Sequence, residues 1–135
     1  MKKVLSFILG IIIILLLAFI VVINLPQASI KNKAADFSMD AKELFSAYSG
    51  NEAKANAKYN GKVIEVSGKL MDISEDEQGA TVLLLDSGDD FGGILCTLDN
   101  TPKKMPSIGQ ELKIKGQCNG ILMDVVLSKC HIISK

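Results

Sequence analysis

Lys62-Val63-Ile64-Glu65-Val66-Ser67-Gly68-Lys69-Leu70 is the stretch that decides the fold. Ile64, Val66, Gly68 and Leu70 alternate with Val63, Glu65, Ser67 and Lys69. A period of two with one apolar side is the mark of a half-buried strand. Downstream the pattern repeats between turns. Asp72 to Gly79 reads as an acidic turn, and Ala80 to Leu85 as a second strand, apolar on both faces. Asp86 to Gly93 is another acidic turn, and Ile94 to Leu98 a third strand. Asn100 to Gly109, with Pro102 and Pro106, is a loop. Glu111 to Cys118 forms a fourth strand, with Leu112, Ile114, Gly116 and Cys118 on one face. Asn119-Gly120 is a strong turn signal. Asp124 to Ile133 completes a fifth strand. Gly68 and Gly116 stand mid-strand, where a barrel bends tightly. Five short strands predict a mainly β protein, a closed barrel of the OB type, since a sandwich calls for about seven strands.

Upstream the period changes. Ser38 offers a helix N-cap for Met39 to Tyr48, whose apolar side is Leu44, Phe45 and Tyr48, with Phe37 just ahead. Asn51 caps a second helical stretch, Glu52 to Lys58, and Asn60-Gly61 closes it. These two segments form a helical lead-in to the barrel.

Further upstream, Val4 to Ile23 is a run of 20 residues without a charge. At ~1.5 Å per residue it matches the ~30 Å hydrocarbon core of a bilayer. It is too long for the apolar part of an ordinary signal peptide. The nearest cleavage candidate, Pro26-Gln27-Ala28, begins with a poor residue. An uncleaved anchor at 1–25 is expected, followed by a linker at 26–36 and the OB domain at 37–135. If the segment is cleaved, the domain is secreted. Lys2 and Lys3 favour a cytoplasmic N-terminus and an extracytoplasmic C-terminal domain. Pro26 marks the latest point at which the helix ends.

Composition narrows the function. All 15 cations are lysine, and beyond Lys2 and Lys3 the remaining 13 face 15 carboxylates. Such a domain lacks the basic footprint of a nucleic-acid binder. The loop after the first strand carries Asp72, Glu75, Asp76 and Glu77, which repel phosphate. Nucleic acid is therefore an unfavoured partner. Ser67, Ser74, Ser87, Ser107 and Ser128 share one histidine, and no nucleophile elbow, P-loop or dinucleotide fingerprint is present, so no enzyme is expected. His131 follows Cys130 directly, and adjacent strand residues point to opposite faces, so the two do not share a metal. Asp86-Ser87-Gly88-Asp89-Asp90 lacks the distal glutamate of a calcium loop. No metal or cofactor is expected. Cys96, Cys118 and Cys130 read in two ways. A Cys118–Cys130 disulfide is open to an oxidising compartment, although a hairpin near Gly120 sets Cys118 about five residues from register with Cys130. The alternative is three small buried hydrophobes.

Two stretches carry a family likeness. One runs from Asn51-Glu52-Ala53 through Tyr59-Asn60-Gly61-Lys62 into Val63-Ile64-Glu65-Val66-Ser67-Gly68. The other is Ile114-Lys115-Gly116-Gln117-Cys118-Asn119-Gly120 with Val125-Val126-Leu127-Ser128-Lys129-Cys130. Together they resemble the tRNA-anticodon-binding-like OB-fold family of bacterial proteins. The resemblance spans about Phe37 to Ile133. It implies an OB fold and an N-terminal membrane or export segment, and brings no established activity.

The expected role is a membrane-held, non-catalytic module for a protein, peptide or small ligand. Its candidate ligand face is Thr81, Leu83, Leu85, Leu95 and Thr97, with Ile121 and Met123 of the following loop. Those apolar residues equally suit a core. A nucleic-acid-binding module and a structural spacer are the rival roles.

Overall fold

The computed structural model describes residues 1–24 and 29–134. The first element, α1 (Lys2–Ile23), is 22 residues long. It is long and apolar enough to cross a membrane. The expected helix end at Pro26 lies outside the described residues.

Next come β1 (Phe37–Asp40), α2 (Ala41–Gly50) and α3 (Glu52–Tyr59). Five longer strands follow: β2 (Val63–Glu75), β3 (Thr81–Asp89), β4 (Gly92–Leu98), β5 (Glu111–Ile121) and β6 (Val125–Ser134). The ring runs β2-β3-β4-β6-β5 and closes through a β2–β5 pairing. This is the expected five-stranded OB barrel, and a closed ring leaves its members no unpaired edge of their own.

β2 is the keystone because it is long enough to serve two neighbours in succession. Val63 to Lys69 pairs antiparallel with β5, and Leu70 to Glu75 with β3. A register shift between Leu70 and Asp72 marks the bend. The segment expected to be a turn from Asp72 is thus partly strand. Gly68 makes room at the same bend, since a Cβ there would lie 2.9 Å from Ala41 Cβ.

Phe37 to Asp40 corrects the expected helix start. These residues pair in parallel with Ile64 to Ser67, so Ser38 lies in a strand and caps nothing. Asp40 is the residue before α2. Four residues are too few to show a period of two before a helix begins. From there α2 follows its pattern. Ala41, Leu44, Phe45 and Tyr48 fall at i, i+3, i+4 and i+7 and are all buried. The helix packs on β1, β2, β3, β4 and β6 and so stoppers the barrel. In α3, Asn51 caps as expected, its side chain accepting from Lys54 N–H at 3.0 Å.

Inside the ring lie Ile64, Val66, Leu70, Leu83, Leu85, Ile94, Cys96, Leu112, Ile114, Cys118, Leu127 and Cys130. The chain ahead of β1 is bonded to the barrel wall. Ile30 is buried. Lys115 Nζ donates to the Lys33 carbonyl at 2.9 Å. Asp36 accepts from Val63 N–H at 2.9 Å, and its own N–H donates to the Val63 carbonyl at 2.7 Å.

Candidate functional site

The register of β3 on β4 divides the sequence-derived face. Leu84 stands opposite Leu95 and Val82 opposite Thr97, while Leu83 stands opposite Cys96 and Leu85 opposite Ile94. Directly opposed residues share a face. Leu83 and Leu85 are fully buried in the core, and Thr81 is buried on their side. These three are corrected to interior positions. Leu95 and Thr97 point outward, where their companions are Val82, Leu84 and, across β6, Val126 opposite Leu95. The segment from Thr81 to Leu85 is apolar on both faces, so its sequence offers no parity to choose.

The outward face runs into the hairpin tips. Met71, Leu84, Phe91 and Gly93 line a concavity of about 190 Å³ together with Asp89, Asp90 and Asp124. The β5–β6 tip abuts it. Asp124 Oδ1 accepts from Gly93 N–H at 2.7 Å, and a Cβ on Gly92 would lie 2.6 Å from the Met123 carbonyl. Four large apolar side chains surround this end in the open: Phe91 (86% exposed), Leu122 (90%), Met123 (78%) and Met71 (50%). Ile121 instead packs partly against the core. Met123 therefore stays a surface candidate and Ile121 becomes a support. Phe91 was legible as an aromatic inside an acidic turn, while Met71 was hidden as the residue at the β2 bend.

The strands and tips of this end carry carboxylates, and Lys42 of α2 approaches them at the β3–β4 turn, its Cδ 3.8 Å from where a Cβ on Gly88 would lie. From Leu70 to Pro102 the chain has eight carboxylates and no lysine. Gly116 to Ser128 adds Asp124 and no cation. Among the described residues Lys113 pairs with Glu65 at 3.4 Å and His131 Nε2 lies 3.5 Å from an Asp99 carboxylate oxygen, neither on the concavity. The β3–β4 turn is held by hydrogen bonds between its own side chains and its backbone. Asp86 accepts from Gly88 N–H, Asp89 from Phe91 N–H, and the Ser87 hydroxyl donates to the Gly92 carbonyl. These carboxylates are spent on turn geometry. Among the described residues, no group of three or more His, Cys, Asp or Glu side chains is arranged to hold a metal.

The three thiols are free and buried, and the Cys118–Cys130 bridge does not form. Cys118 opposes Leu127. Its sulfur lies 3.2 Å from the Tyr48 hydroxyl. Burial, with that sulfur next, pushes the Tyr48 phenol well above its ordinary value. Cys130 faces elsewhere: its sulfur would lie 2.5 Å from a Cβ on Gly116. Burial, followed by the neighbouring Cys96 thiol, raises the Cys130 thiol. His131 is half-buried on β6.

Comparison with known proteins agrees with this architecture. No curated protein sequence matches the chain. Among solved structures, a Klebsiella pneumoniae lipoprotein named as a candidate nucleic-acid binder superposes with TM-score 0.56 at 18% identity. The match covers 71% of this chain and 91% of that one, and at such identity it speaks for the fold. The sequence matches the tRNA_anti-like family over residues 1–132, and the chain belongs to that family.

Proposed function

We infer that this chain is a single-pass, membrane-tethered binding module without catalytic activity, displaying its barrel on the extracytoplasmic side. Its ligand is a protein or peptide, bound at the outward β3–β4 face and the two hairpin tips beside it. The observation that carries this reading is that the exposed Met71 and Phe91 line one concavity, with the exposed Leu122 and Met123 on the β5–β6 tip that abuts it. Contiguous exposed apolar surface on a small domain marks an interaction site. OB barrels use the same region for their ligands.

The lipoprotein neighbour raises nucleic acid as an alternative. Charge argues against it here. A nucleic-acid face draws its affinity from lysine and arginine on phosphate. The concavity of this chain is lined by Asp89, Asp90 and Asp124 with no lysine among its lining residues. Full-length chain in phosphatidylcholine nanodiscs is to be titrated with a thymidine oligonucleotide at low salt. The expected result is no saturable binding. Saturable, salt-sensitive binding that Phe91→Ser abolishes overturns the protein-ligand reading.

A further inference from the structure

The apolar cluster and the carboxylates occupy the same ground, and their combination specifies more than either alone. Asp89, Asp90 and Asp124 line the concavity that Met71, Leu84 and Phe91 floor. Asp72 neighbours Met71 and is exposed. None of the four is in an ion pair among the described residues. A partner that covered this end with apolar groups alone would bury carboxylates that have backbone hydrogen bonds but no counter-charge, which is costly. An anionic partner would be repelled. A partner placing lysine or arginine around an apolar segment satisfies both halves, because complementary charge steers docking and excludes wrong partners.

We propose that the occupant of this face is a cationic amphipathic segment of another protein, its apolar side seated on Met71, Phe91 and Met123 and its lysines or arginines over Asp72, Asp90 and Asp124. This rests on the binding face of the preceding section and adds the chemistry of what fills it. Two features suit such a segment. Phe91 and Met123 present exposed apolar surface at two adjoining hairpin tips rather than inside one deep pocket. The carboxylates come from three segments, Asp72 of β2, Asp89 and Asp90 at the β3–β4 turn and Asp124 at the β5–β6 turn, so the basic residues of such a segment meet charge from more than one element.

The test uses the full chain in phosphatidylcholine nanodiscs and three fluorescent peptides, with empty nanodiscs as the blank. One peptide is a helical leucine–lysine amphipath, the second its leucine–glutamate twin, and the third a lysine–serine peptide of equal charge. The leucine–lysine peptide is expected to bind at least about tenfold more tightly than either other. Its affinity is expected to fall with salt, with Phe91→Ser/Met123→Ser, and with Asp72→Asn/Asp90→Asn. Asp99→Asn, just past the opposite end of β4, is expected to change nothing. The substituted side chains are exposed, so folding is not at stake. If the leucine–glutamate twin binds equally well and Phe91→Ser/Met123→Ser still weakens it, the charge inference is overturned and the face survives. Equal binding of the lysine–serine peptide overturns the apolar half. If the leucine–lysine peptide binds and the Phe91→Ser/Met123→Ser protein is indistinguishable from wild type, the face itself is wrong.

Discussion

Lys129 has φ 52, a left-handed backbone conformation that side chains other than glycine seldom adopt. It sits where β6 changes register against both neighbours. Val125 and Leu127 face the core, and strict alternation would follow them with Lys129. The irregularity inserts one residue, so Cys130 turns inward instead, beside Cys96 and over Gly116. That is why Cys118 and Cys130 do not meet, and no spacing rule in the sequence announces a bulge. All three thiols are therefore expected to resist a thiol reagent in the folded chain and all three to react after denaturation without reductant. Fewer than three after denaturation indicates a disulfide. Tyr48 gives a second expectation. Its folded-state phenol is raised above the ordinary value of 10.0, so the folded chain holds a proton the unfolded chain has lost. Its contribution is present below pH 10.0 and declines as pH rises beyond that value. Tyr48→Phe should cost about 0.5–1.5 kcal/mol at neutral pH and flatten the fall in stability above that value, as urea titrations at several pH values will show.

The strands and helices differ in how openly the sequence declares them. β2 and β5 are half-buried, so their alternation is visible and both faces were correctly assigned. β3 carries leucines on both faces because its outer side is the proposed binding surface, and there parity is invisible. An outward Leu84 looks like a second core residue until the register against Leu95 is known. β1 was missed for another reason. Its stabilisation comes from Ile64 to Ser67, distant in sequence, rather than from a local pattern. In contrast α2 carries a complete apolar stripe, and its role as barrel stopper rests on Leu44, which is fully buried. Leu44→Ala should destabilise the barrel by about 2–5 kcal/mol. The check is the urea midpoint of full-length chain in detergent. A shift worth less than about 1 kcal/mol shows that α2 is dispensable.

At the scale of the molecule, the bonds from Lys33 and Asp36 to the barrel wall shorten the tether. Asn24 ends the helix cap and Ser29 resumes the described chain. Those five steps span at most about 18 Å when fully extended. In the proposed arrangement the barrel works next to the bilayer, on its extracytoplasmic side. A reporter fused after Lys135 is expected to be active only in its extracytoplasmic form, and activity of a cytoplasmic reporter reverses the orientation. The central claim is that the Met71–Phe91–Met123 end is the binding surface of this tethered barrel and that its ligand is protein. Photo-crosslinking in living cells tests it most directly, with a photoreactive side chain placed at Phe91 in one full-length variant and at Glu65, on the β2–β5 wall, in another. The account predicts a discrete, protease-sensitive and nuclease-resistant adduct from position 91 and none from position 65. An adduct from position 65 alone, or a nuclease-sensitive adduct from position 91, would contradict it.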